Sequence, residues 1–215
     1  MSSEQELAKL SYETAPLITC PIPGPKTAEY LQGSFDNESM ARGGGKFPFV
    51  FSEGKGATVK DPDGNVLIDI TAGVAVNSVG RCHPRVVAAM TAQMNSLMHA
   101  SDISNVRRTE LAKKVAGIMP AGLKDNCISY FTQGGSGAVE TAIKFVRKIT
   151  GRNQIIAFHG AYHGVWCGCN SLTTGDQYRK GYGPFIPGVI HLPYPYCHRF
   201  FESDGNLSNL AAHWY

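Results

Sequence analysis

A chain of 215 residues, 43% hydrophobic and 17% charged, has ordinary globular composition and length enough for one domain or two small ones. A formal net charge of +3 with no Lys/Arg run argues against nucleic acid or a membrane surface as partner, and no apolar stretch approaches the roughly 20 residues of a membrane span. The opening "MSSEQELAKLSYETAP" lacks a signal-peptide layout and the six cysteines are scattered, so the expected setting is reducing, intracellular and cytoplasmic.

Residues 1–46, rich in Pro, Gly and polar residues, are expected to form an arm with little core of its own. The runs Ala57–Lys60 and Val66–Ile70 flank Asp61-Pro62-Asp63-Gly64, where Pro presets φ and Gly supplies a positive φ, so a β-hairpin is predicted. A Gly-punctuated loop, "TAGVAVNSVGRCHP", follows. Pro84 opens a helix with Val87, Met90, Met94 and Leu97 at helical spacing. A second helix is predicted from about Ser104 to Met119, striped by Leu111, Val115 and Ile118 and stopped by Pro120.

Cys127–Thr132 is predicted as a short apolar strand. It leads into the Gly-rich bend of "FTQGGSGAVETAIKFVR" and a helix with Ala138, Ala142, Phe145 and Ile149 on one face. Glu140 and Lys144 stand four apart in the favourable order, and Gly151 suits the position just past the helix end. "QIIAF" (154–158) and "GVIHL" (188–192) are further buried-type strands. Strands alternating with helices predict an α/β domain with a mainly parallel sheet.

The bend is a candidate anion site. The first turn of a helix presents unpaired N–H groups and the positive end of the dipole, glycines admit a ligand to the backbone, and Ser136 offers a hydroxyl. "GGSG" matches neither the P-loop nor the dinucleotide fingerprint, which leaves a nucleotide-binding domain the weakest reading. A Gly-rich bend can also serve tight packing alone. The loop after 154–158 carries His159, Tyr162 and His163 and leaves a strand end, where α/β ligands bind. An aromatic face and an imidazole beside a phosphate suit a flat phosphorylated heteroaromatic cofactor such as pyridoxal phosphate. Cys167 and Cys169 with His163 and His198 fit no common zinc spacing, so no metal is expected.

The stretches "GATVKDPDGNVLIDITAGVAVNSVGRCHPRVV", "FTQGGSGAVETAIKFVRKITGR", "FHGAYHG" and "GPFIPGVIHLPYPY" are collinear over roughly residues 50–196. With them the chain resembles the class III pyridoxal-phosphate-dependent aminotransferases of fold type I, the group of the 4-aminobutyrate and ornithine enzymes. The resemblance implies an arm and small-domain portion over 1–72 and an incomplete large cofactor-binding domain over 73–215. It implies that Gly135 and Ser136 bind the pyridoxal 5′-phosphate phosphate, that Tyr162 stacks on the ring with His163 beside it, and that Val74 and Val76 line the substrate pocket. It further implies a homodimer that moves an amino group from an amine or ω-amino acid to a 2-oxo acid.

Three departures stand out. Gln133-Gly134-Gly135-Ser136-Gly137 replaces the family's usual Asn-Ser-Gly-Ser/Ala-Glu, and the loss of the acidic side chain at Gly137 is expected to loosen the helix start. Val165 stands where the family often has an Arg, which in the 4-aminobutyrate branch clamps a substrate carboxylate. The family's Schiff-base lysine and the aspartate that pairs with the pyridinium nitrogen lie C-terminal of the last matching stretch, so residues 1–215 are expected to be inactive alone. The alternative is a non-catalytic orphan half that binds a phosphate ligand or pairs with a full-length subunit.

Overall fold

The computed structural model describes residues 10–39 and 47–195, in two compact units divided between Asn105 and Val106. In the first unit, helix α1 (Pro25–Asn37) precedes three antiparallel strands in the order β1 (Glu53–Lys55), β2 (Thr58–Lys60), β3 (Val66–Ile68). Val59 stands opposite Leu67 in the predicted hairpin.

Local chemistry makes the turn. Gly64 takes φ 96°, open to glycine and strained for other residues. Asp61, 1% exposed, accepts the backbone N–H groups of Asp63 and Asn65 at 2.9 and 2.8 Å, and its other oxygen accepts the Asn65 side-chain amide at 2.8 Å. The buried Asn65 then accepts the N–H groups of Thr19 and Cys20 at 2.8 and 3.1 Å. Leu17 bridges to Val66, so the arm is pinned along the hairpin.

Helix α1 lies in the segment read as an arm. No apolar stripe announces "PKTAEYLQGSFDN"; a remote cap holds its start instead. The Asp63 carboxylate accepts the N–H groups of Lys26 and Thr27 at 3.0 and 2.7 Å. Burial pushes the Asp63 carboxyl up, but the hydrogen bonds from Thr27 and Lys26 outweigh it and leave it below the usual carboxylate range. The next helix, α2 (Pro84–Ser96), starts at the predicted proline, with His83 Nδ1 accepting the Arg85 N–H at 3.3 Å. Packing groups α2 and the preceding glycine-punctuated loop with the first unit.

The second unit begins with α3 (Val106–Ile118), close to its predicted span. There follow α4 (Gly134–Thr150), β4 (Ile155–Phe158), α5 (Cys167–Leu172), α6 (Asp176–Arg179) and β5 (Val189–Leu192). Strands β4 and β5 pair in parallel, Ile155 with Val189 through Phe158 with Leu192. Ile143 of α4, Ala157 of β4 and Leu172 of α5 form the core, with Val139, Ile155, Ile186 and Val189 packed around them.

Three expectations differ from the structure. Cys127–Thr132 forms no strand, because a strand exists through a hydrogen-bonded neighbour and the described residues supply none. The inward face of α4 is Val139 and Ile143, whereas Ala138, Ala142, Phe145 and Ile149 are exposed. Glu140 turns to α5 instead of Lys144: its Oε1 accepts the Gly168 N–H at 2.7 Å and so caps that short helix. Gly151, as predicted, ends α4 at φ 68°. Among the described residues no helix is long and apolar enough to cross a membrane, and the five cysteines are unpaired.

Candidate functional site

The Gly-rich bend becomes the first turn of α4. Gln133 precedes it in extended conformation without capping it through its side chain, and among the described residues no side chain is seen to accept from the first N–H groups of the helix. Gly134, at φ 64°, and Gly135 face open space: a Cβ built on either meets nothing within 4 Å. Ser136 is half-buried and lies against the loop that follows β4.

That contact is close. Ser136 Oγ accepts the Val165 N–H at 3.3 Å, and a side chain on Gly164 would collide with Ser136 Oγ and with Cys169 Sγ. Gly164 also has φ 115°, so glycine is needed there on both counts. Glycine at 137 has a steric role too. It is buried, and its missing Cβ would meet Thr132 Oγ1 at 2.7 Å and the Trp166 ring at 3.4 Å. The Thr132 hydroxyl and the indole thus leave no free room for the expected acidic side chain to begin.

The loop itself is fastened by two threonines absent from the sequence-based candidates. Thr173, fully buried, accepts the His163 N–H at 2.8 Å and donates to the Gly164 carbonyl at 2.8 Å. Thr174 Oγ1 accepts the Gly160 N–H at 2.7 Å, and its N–H donates to the Ala161 carbonyl at 2.9 Å. Arg179 Nη1 closes the end of α5 by donating to the carbonyls of Asn170, Ser171 and Thr173 at 2.9, 3.0 and 2.8 Å, with its guanidinium 4.0 Å over the Phe185 ring. "SLTTG" signals only a turn in sequence, and nothing there shows which backbone groups the hydroxyls meet.

The Tyr162 ring, 58% exposed, has its centroid 5.0 Å from that of Tyr178 on α6. A neighbour on one side supports the ring and leaves area for a second flat group. The His159 and His191 rings lie 5.7 Å apart across β4 and β5, with His191 Nε2 3.2 Å from the Leu172 carbonyl oxygen. Among the described residues no group of three or more His, Cys, Asp or Glu side chains could hold a metal ion, and His198 lies outside those residues.

Gly135, Ser136, Tyr162 and His163 thus fall on two adjoining elements of the second unit. Val74 and Val76 belong to the first unit, 88% and 79% exposed. Their loop is unusual: Ala72, Gly73, Val74 and Ala75 all have positive φ, from 48° to 65°, a left-handed run that β-branched Val disfavours. Asp69 anchors it. Its Oδ1 accepts Thr71 Oγ1–H at 2.7 Å and the N–H groups of Thr71 and Ala72 at 2.9 and 3.0 Å, and its Oδ2 accepts Arg81 Nη2–H at 2.7 Å. These bonds, first the Thr71 hydroxyl and then the Arg81 guanidinium, lower the Asp69 carboxyl to about 2. A separate groove of about 650 Å³ runs along α1, lined by Lys26, Glu29, Tyr30, Gly33, Ser34 and Glu38, and holds none of the candidate residues.

Residues 39–212 match the aminotransferase class-III family. The chain is 40% identical over 150 residues to the acetylornithine aminotransferase of Methanopyrus kandleri, covering 69% of this chain and 38% of that protein. It is 32% identical over 194 residues to the diaminobutyrate–2-oxoglutarate aminotransferase of Rhizobium meliloti, covering 87% and 41%. An (S)-enantioselective omega-transaminase from Thermomicrobium roseum superimposes with TM-score 0.74 at 28% identity, over 86% of this chain and 44% of that one. An amine transaminase from an uncultivated Pseudomonas species, solved in its PLP-bound form, gives TM-score 0.67 at 27% identity, over 77% and 39%. The chain spans about two fifths of the length of the curated relatives it matches. It has the α/β architecture of part of a fold type I domain, and it belongs to the pyridoxal-phosphate-dependent class-III aminotransferases.

Proposed function

We propose that this chain forms the phosphate-holding end of the cofactor site of a class III aminotransferase. The observation that carries the reading is the Ser136 hydroxyl at the open first turn of α4. It accepts Val165 N–H and has no acceptor for its own proton among the described residues. The donor set fits a phosphate: two glycines with free space, unpaired helix N–H groups, and a hydroxyl poised to donate. Tyr162 offers its open face to the pyridine ring and His163 flanks it. Bound pyridoxal phosphate supplies the electron-withdrawing ring that amino-group exchange requires. The residues here bind and orient that group.

In the complete enzyme the substrates are an amine or ω-amino acid and a 2-oxo acid, Val74 and Val76 wall the substrate pocket, and the active form is a cytoplasmic homodimer. With Val165 in the position of the carboxylate-clamping arginine, selection of the amino donor falls to other residues. Residues 1–215 contain no lysine at the Schiff-base position of the family, so amino transfer is not expected of them alone.

The test uses 4-deoxypyridoxine 5′-phosphate, which has no aldehyde and cannot react with surface lysines. Calorimetry on the 215-residue chain should show saturable binding that 4-deoxypyridoxine does not share. Equal affinity for the two compounds overturns the reading.

A further inference from the structure

We infer that Thr173 is a positioning residue that aims the Ser136 proton at the cofactor phosphate through a single peptide plane. The inference rests on the proposed phosphate site and goes beyond it by assigning a residue that touches neither ligand nor helix start. The peptide unit joining Gly164 to Val165 has one acceptor and one donor. Its carbonyl accepts Thr173 Oγ1–H at 2.8 Å, and its N–H donates to Ser136 Oγ at 3.3 Å.

Direction follows from proton count. Thr173 has one hydroxyl proton, and the Gly164 carbonyl at 2.8 Å is nearer than the Cys169 carbonyl at 3.4 Å. A lone pair of the same hydroxyl takes the His163 N–H at 2.8 Å, so both of its roles are filled. The peptide is thereby fixed with its N–H toward Ser136. Ser136 Oγ, already an acceptor, directs its own proton elsewhere, and the open side is the first turn of α4. Hydrogen bonds in such a row polarise one another, and Thr173 is fully buried, where this effect is strongest. The row also explains why Gly164 is pressed against Ser136, since only glycine lets the peptide come that near.

The experiment compares Thr173→Val, Thr173→Ser and Ser136→Ala in the 215-residue chain. Thr173→Val should weaken 4-deoxypyridoxine 5′-phosphate binding about tenfold, and Thr173→Ser should restore it. Thr173→Val should add little on a Ser136→Ala background. Full affinity in Thr173→Val, or equal losses with and without the Ser136 hydroxyl, overturns the inference. Amide hydrogen exchange separates this from the site itself. Thr173→Val should speed exchange at both His163 and Val165, and Ser136→Ala at Val165 alone. If the wild-type chain does not bind the probe, the phosphate site falls, and the exchange pattern alone decides whether Thr173 orients the peptide. If Thr173→Val does not fold, the Ser136→Ala pattern carries the test: unchanged Val165 exchange refutes the row.

Discussion

Gly164 concentrates the constraints on the site in one residue. Gly164→Ala would place a methyl group against Ser136 Oγ and Cys169 Sγ and hold alanine at φ 115°. We expect a loss of about 2–4 kcal/mol, read as a shift in urea midpoint. The role proposed for Tyr162 is one of contact rather than strain. Tyr162→Ala should weaken binding of the deoxypyridoxine phosphate by about 0.5–1.5 kcal/mol beyond the area lost, and unchanged affinity removes Tyr162 from the site. Asp69 gives a pH signature. Its folded carboxyl is lowered to about 2 from an ordinary value of 3.8, so its contribution is complete above pH 4 and fades as the pH falls toward 2. Asp69→Asn, which keeps the shape but drops the charge, should therefore be less stable than wild type at pH 5, with the gap closing on acidification. A gap that stays constant between pH 5 and pH 3 contradicts the lowered Asp69 carboxyl, which the Thr71 hydroxyl and then the Arg81 guanidinium hold down.

At the scale of elements, two helix starts depend on a partner distant in sequence. Asp63 caps α1 and Glu140 caps α5, so Asp63→Ala should cost about 1 kcal/mol and fray α1 selectively, seen as faster amide exchange at Lys26 and Thr27. Distance in sequence also separates what could be read early from what could not. The hairpin was legible because Asp61-Pro62-Asp63-Gly64 carries its own turn chemistry, and α2 because Pro84 and a methionine-rich stripe are local signals. The start of α4 followed from the glycines ahead of a helical pattern, although Cys127–Thr132, read as the strand before them, forms none. Helix α1 was hidden because its stabilising carboxylate lies 36 residues from Thr27. The inward face of α4 was misjudged because Val139 and Ile143 are chosen by Ala157 and Leu172, which periodicity cannot weigh. Thr173 was invisible because a threonine in "SLTTG" acquires its role only from the peptide it meets.

Across the whole molecule, apolar surface remains in the open. Ile156 and Ile190 of the parallel pair are 59% and 43% exposed, and Val87, Met90 and Met94 of α2 are about half exposed. Surfaces of this kind favour association, so light scattering on the 215-residue chain should report species larger than a monomer, with a concentration-dependent mass. The same chain, assayed with several amines against pyruvate and 2-oxoglutarate, should show no turnover; activity that depends on one particular lysine would relocate the catalytic residue into these residues. The proposed cofactor site stands or falls on where the phosphate goes. A crystal structure of the chain with 4-deoxypyridoxine 5′-phosphate should show the phosphate about 2.7–3.1 Å from Ser136 Oγ and from N–H groups of the first turn of α4, with the ring against Tyr162. A phosphate bound elsewhere, with that turn filled by protein or water alone, would contradict it.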